Sequence, residues 1–192
     1  MVFALYATAV YTGLRAGELA ALLWDVIDLE RRLITVQRSF DGPTKSGDVR
    51  YVPVLDALLP VLRAWHLRNP LDVVFPSQSG TAQGASARVF QEVFRRVLDR
   101  AGFAKVFRRG KPRGCIVFHD LRHTFASNWV MNGGDLFKLQ KILGHGTVQM
   151  TQRYAHLQPA AFREDYARLG NGVATTDAEV LSLPVRRRMS TA

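Results

Sequence analysis

Residues 119–123 read His-Asp-Leu-Arg-His, a dense run of groups able to bind a metal, hold an anion or move a proton. On a helix, His119 and His123 stand four apart and His119 and Arg122 three apart, so either pair can share a face. Two histidines at that spacing with an acidic neighbour come close to the H-E-x-x-H zinc signature. Zinc would need both imidazoles, a third ligand and a glutamate as general base. Asp120 is one methylene shorter than that glutamate, and Arg122 would set a permanent cation beside a divalent one. Alternatively, His119 and Arg122 act together on an anion. A guanidinium offers a rigid fork of donors that matches phosphate oxygens, and an imidazole adds one more. The run also fits a third role, two histidines and an arginine satisfied inside a core.

The elements that must position this run are mostly helices. Residues 3–23 are rich in Ala and Leu, broken near Thr12 and Gly13, and predict two successive helices, the second being LRAGELAALLW. Between Leu33 and Val54, β-branched runs flank the turn-prone DGPTKSGD, which predicts a small antiparallel hairpin or three-stranded sheet. ALLPVLRAWHL predicts a helix closed at Asn69 and Pro70. Residues 87–101 are the most periodic, with Val89, Phe90, Val93, Phe94, Val97 and Leu98 on one face and Arg88, Gln91, Glu92, Arg95, Arg96 and Asp99 on the other. Gly102 closes that helix, and a basic loop, KVFRRGKPRG, follows it. Most of CIVFHDLRHTFASNWVMN then reads as helix, up to Gly133 and Gly134. Asp135 caps LFKLQKIL, Gly144 ends it, and Thr147 caps a last helix running through Tyr154. The fold class is α+β, mainly helical, with one small antiparallel sheet near the N-terminal third.

Charge narrows the partners. Among 192 residues, 26 Lys and Arg stand against 16 Asp and Glu, a net charge of +10 that points to a polyanion, most often nucleic acid. An apolar share of 47% supports a sizeable core and argues against wholesale disorder. Cys115 is the single cysteine, which excludes an internal disulfide and a four-cysteine zinc site. The apolar start MVFALYATAVYTGL has no basic leader, and Arg15 and Glu18 interrupt it short of the roughly 20 residues a membrane span needs. It predicts a buried helix.

Four stretches in order, TGLRAGEL at 12–19, TKSGDVRYVPV at 44–54, HDLRHTFAS at 119–127 and LGHGTVQMTQRYAHL at 143–157, resemble the motifs of the tyrosine recombinase (phage integrase) catalytic domain. The resemblance implies that family's catalytic-domain fold and site-specific DNA strand cleavage and rejoining. Tyr154 matches the nucleophile that forms a 3′-phosphotyrosyl link, a step needing neither metal nor ATP, so no cofactor is expected. Arg15, Arg122 and His145 match the cationic donors to the phosphoryl oxygens; Glu18, three residues after Arg15, fits a supporting role that orients its guanidinium or hydrogen-bonds within the site, and equally an ordinary surface i,i+3 pair. Lys45 matches the general acid for the leaving 5′-oxygen. His119 is the candidate proton acceptor for Tyr154, whereas His123 and His156 are expected to be hydrogen-bonded structural histidines. Tyr6 and Tyr11 are expected in the core, Tyr51 in a strand, and Tyr166 in packing or on the surface. A free tyrosine, with a pKa of about 10, is a poor nucleophile at neutral pH, and clustered cations favour its phenolate.

Double-stranded DNA is the expected partner, and Arg50, Arg95, Arg96, Arg108, Arg109, Lys111 and Arg113 are candidate phosphate contacts that give affinity without sequence information. The family works as a tetramer on DNA; alone, this chain is equally compatible with a monomer. The resemblance also implies a bacterial or phage-encoded protein at work in the cytoplasm. Residues 1–169 are assigned to the catalytic domain and 170–192 to a tail that docks on a neighbouring protomer, packs in cis or stays disordered. Starting about a dozen residues before the first motif, the chain is expected to lack the family's N-terminal DNA-binding domain and the first part of the catalytic domain. Two other functions are weighed, a DNA-binding remnant that no longer cleaves and a metal-dependent hydrolase built on HDLRH.

Overall fold

A computed structural model describes residues 1–39, 42–43, 49–76, 87–103, 107–108, 111–112 and 116–158. The chain divides into a compact unit, Met1–Pro159, and the segment Ala160–Ala192, which lies outside the described residues together with the expected boundary at 169/170. Lys45, Arg109, Arg113, Cys115 and Tyr166 also lie outside them, as do the side chains of Arg108 and Lys111.

Helix α1 (Val2–Thr12) stops where Gly13 turns into the left-handed region, φ 65°. That reversal is glycine's by geometry and by space, because a Cβ there would sit 2.7 Å from the Phe125 ring and 2.9 Å from Leu143. Helix α2 (Ala16–Ala20) is shorter than the predicted 14–24 and passes into a 3₁₀ turn at Trp24–Val26. Strands β1 (Ile27–Asp28), β2 (Leu33–Val36) and β5 (Arg50–Pro53) form the antiparallel sheet in the order β1-β2-β5, with Ile34 opposite Val52 and Val36 opposite Arg50. A two-residue ladder of β3 (Arg38–Ser39) and β4 (Gly42–Pro43) extends the hairpin. Helices α3 (Leu59–His66) and α4 (Ala87–Arg100) follow. The basic segment expected as a loop contains a short antiparallel ribbon, β6 (Phe107–Arg108) with β7 (Lys111–Pro112). Helix α5 (Asp120–Met131) carries the HDLRH run, α6 (Leu136–Leu143) starts at the Asp135 cap, which accepts from the Lys138 amide at 2.8 Å, and α7 (Gln149–Gln152) ends two residues before Tyr154.

One apolar core joins these elements: Leu5 and Leu19, Ile34 and Val52 of the sheet, Leu58 and Leu62, Phe75, Phe90 of α4, and Leu139 and Leu143 of α6. Helix α1 packs along α5, and the ring of Tyr6 lies against Phe94 and Phe118 at 5.3 and 6.1 Å between centroids. Helix α1 is buried on one face only. Phe3 is 74% exposed and Tyr11 also faces out, which corrects the expectations of a buried first helix and of Tyr11 in the core. No helix among the described residues is long and apolar enough to cross a membrane.

Candidate active site

The C-terminal end of α6 is where the site converges. The last carbonyls of any helix lack intrahelical partners and carry the negative end of its dipole. Here three guanidiniums from three distant segments satisfy them. Arg50 Nε donates to Ile142 O at 2.9 Å, Arg122 Nη2 donates to Leu143 O at 2.5 Å, and Arg15 Nη2 reaches Gly144 O at 3.5 Å. Gly144 makes room for this: it adopts φ 63°, and a Cβ on it would meet Arg50 Cδ at 3.0 Å. Arg122 Nη1 also donates to Gly13 O at 2.8 Å, tying the α1–α2 turn to the same centre.

Three cations held this close repel one another, and Glu18 is their counter-charge. Its carboxylate, almost wholly buried, accepts from Arg50 Nη2 at 2.6 Å, Arg15 Nη1 at 3.0 Å and the Arg15 amide at 2.8 Å. Burial alone pushes this carboxyl up, but the hydrogen bond and charge of Arg50, with the Arg15 amide and charge, bring it below the ordinary value. Burial and the neighbouring charges of Arg15 and Arg50, partly offset by Glu18 and Tyr154, bring Arg122 down to about 10, so it stays charged at neutral pH.

The imidazoles behave differently. His145, in the α6–α7 connection, bonds Thr151 Oγ1 through Nδ1 at 2.8 Å. Burial, then Arg122, Arg15, Arg153 and His123, push its pKa down to about 4. It is therefore uncharged at neutral pH in the DNA-free protein, unlike Arg15 and Arg122, with which the resemblance grouped it. His119 stands at the start of α5 without a side-chain cap hydrogen bond. Desolvation of its ring and the nearby His123, Arg122 and Arg15 lower its pKa against the pull of Asp120.

Tyr154 opens the 3₁₀ turn at Ala155–Leu157 and is 6% exposed. Its hydroxyl meets Nδ1 of His123 at 2.5 Å, while the ring of His119 stands edge-on to His123, 5.1 Å between centroids. Arg153 lies over the Tyr154 ring at 5.7 Å. Burial raises the phenol more than Arg153 and Arg122 lower it, so in the DNA-free state the cations do not by themselves yield a phenolate.

The structure thus brings Arg15, Glu18, Arg122, His119, His145 and Tyr154 into one electrostatic neighbourhood. Arg50, expected as a surface phosphate contact, is instead a buried member of the framework with two of its three nitrogens committed; only Nη1 has no partner among the described residues. The signal was the strand alternation, which puts Arg50, Val52 and Val54 on one face and Tyr51 on the other. Arg95 and Arg96 are exposed on α4 and take no part in these hydrogen bonds. His123 was expected to be structural, yet its partner is the candidate nucleophile. His156 is exposed and has no side-chain hydrogen bond among the described residues. Among the described residues, no group of three His, Cys, Asp or Glu is arranged to hold a metal ion. Beside the framework, a cleft of about 500 Å³ is lined by Arg50, Tyr51, Gln140, Lys141, Gly144 and His145, among others.

A turn-borne arginine, an arginine on a histidine-rich helix and a tyrosine just after α7 are thus gathered within a mainly helical fold. The profile of the phage integrase family matches residues 3–161, and the chain belongs to that family. It is 36% identical over 149 residues to tyrosine recombinase XerC of Xanthomonas campestris pv. campestris, covering 76% of this chain and 41% of that protein. Among solved structures, a XerA recombinase superposes with a TM-score of 0.64 at 30% identity, covering 86% of this chain and 57% of that one. The catalytic domain of bacteriophage HP1 integrase gives 0.56 at 29%, covering 89% and 84%. The chain spans 41% to 45% of the length of the XerC relatives it matches.

Proposed function

We propose that this chain is the catalytic part of a site-specific DNA recombinase, cleaving and rejoining strands through a phosphotyrosyl link at Tyr154, in the cytoplasm with its DNA. The observation that carries this is the convergence of Arg15 and Arg122 on the C-terminal carbonyls of α6, with Tyr154 close enough to Arg122 to feel its charge. A guanidinium anchored by backbone carbonyls is already oriented before substrate arrives. Such preorganised donors stabilise the charge that builds on the non-bridging oxygens, each by about 3–4 kcal/mol when the geometry is right. Glu18 and Arg50 hold Arg15 in place, and His145 contributes an uncharged N–H. Lys45 is assigned the proton for the leaving 5′-oxygen. A 3′-phosphotyrosyl bond stores the energy of the broken diester, so rejoining needs no external source. Working on DNA as a tetramer is part of the same proposal.

The test is a nicked suicide duplex whose leaving strand diffuses away after cleavage, incubated with the protein in chelator. Wild type is expected to give an SDS-resistant protein–DNA adduct, and Tyr154→Phe none. An adduct that survives Tyr154→Phe overturns the nucleophile assignment. Salt-sensitive DNA binding with no adduct would instead mark a binding remnant, and chelator-sensitive activity independent of Tyr154 a hydrolase.

A further inference from the structure

We infer that His123, not His119, accepts the phenolic proton of Tyr154 during strand cleavage. This rests on the recombinase function proposed above and deepens it. Of the histidines at the centre, His123 is the one whose ring touches the nucleophile, Nδ1 to Oη at 2.5 Å. His119 is a step removed, its ring against that of His123 and not against the phenol's oxygen. With the imidazole neutral and its proton on Nε2, Nδ1 is an acceptor and the phenol must be the donor.

The placement suits a proton carrier better than a packing partner. His123 directly follows Arg122 on α5, so the oxygen-binding guanidinium and the base share one rigid frame. A buried phenol with its pKa raised and its hydroxyl aimed at a ring nitrogen needs that base in order to attack at neutral pH. The groups that meet His123 are His119 on α5, His145 from the α6–α7 connection and Tyr154 after α7, whose ring Arg153 covers in turn. In the step itself, Tyr154 Oη bonds to phosphorus as the P–O5′ bond breaks. The phenolic proton passes to Nδ1 of His123, and the departing 5′-oxygen takes a proton from the Lys45 ammonium. Rejoining runs in reverse, with the His123 imidazolium returning its proton to the released phenolate.

The experiment is single-turnover cleavage of nicked duplexes recovered from a randomised-arm pool by covalent capture with wild type. Each is made with an ordinary diester and with a 5′-bridging phosphorothiolate, whose leaving group needs no proton. His123→Gln is expected to slow cleavage about 100- to 1000-fold at unchanged DNA affinity. It should also stay slow on the phosphorothiolate, which restores Lys45→Ala. Cleavage by His123→Gln within threefold of wild type, or its rescue by the phosphorothiolate, overturns the inference while leaving the recombinase function intact. No adduct from wild type, or an adduct from Tyr154→Phe, removes that function and this inference with it. Should His123→Gln fail to fold, nitrogen chemical shifts of the wild-type imidazole decide. A bare Nδ1 with protonated Nε2 supports the assignment, and the opposite tautomer overturns it.

Discussion

At the residue scale, the division of labour between charged and neutral groups stands out. Arg15 and Arg122 carry the positive charge, Glu18 balances it, and His119 and His145 are held neutral by partial burial beside the guanidiniums. That arrangement has a pH signature. An unfolded imidazole titrates near about 6.5, whereas His145 in the fold titrates at about 4. Between those values the unfolded chain binds more protons than the folded one, so stability falls as pH drops through the window and is level above it. The lowered Glu18 carboxyl removes further stability below its ordinary range, in the same direction. Urea midpoints at pH 7.5 and 5 should therefore drop more for wild type than for His145→Gln. The family resemblance of the motifs made six catalytic candidates legible by type, but not their protonation. Protonation depends on which cations lie within a few ångströms, and those come from other elements.

At the element scale, α6 acts as an anchor. Its cap at Asp135 and its stop at Gly144 were legible in the sequence, because caps are local chemistry. What its far end does was not. Carbonyls have no sequence signature, and the partners Arg50, Arg122 and Arg15 come from β5, α5 and the turn before α2. Helix lengths were misjudged where tertiary packing overrode propensity. LRAGELAALLW has a helical composition throughout, yet α2 closes at Ala20 because Leu22 O and the Trp24 amide bond to Val74 and Asp72 in the next segment. The α1–α2 turn is the sharpest test of the anchor. Gly13→Ala adds left-handed strain and a methyl against Phe125 and Leu143, and is expected to cost about 2–4 kcal/mol. A lowered denaturation midpoint checks that figure. Since Gly13 O holds Arg122, adduct formation should fall along with it.

At the scale of the whole molecule, a net charge of +10 bears on how the proposed DNA partner would be held. Neutralising phosphates releases counter-ions, giving a log–log salt slope of about −0.9 per contact. Arg95 and Arg96 are exposed on α4, off the framework, and if both meet phosphates their double replacement by alanine should flatten that slope by about 2. Fluorescence anisotropy with a labelled duplex across a salt series measures it; an unchanged slope would assign both to a solvated face. The anchoring carbonyls have one more consequence, for how the molecule comes into being. The contacts Arg15–Gly144, Arg122–Gly13 and Arg50–Ile142 join residues 129, 109 and 92 positions apart. Closures that long are paid in chain entropy before any local gain, which makes them slow and late in folding. Neither end of the chain carries half a site. On a polypeptide emerging from the ribosome, Arg15 has no anchor until Gly144 has arrived, and Tyr154 follows later still, so the cationic centre and the tyrosine beside it come together only once most of Met1–Pro159 has been made.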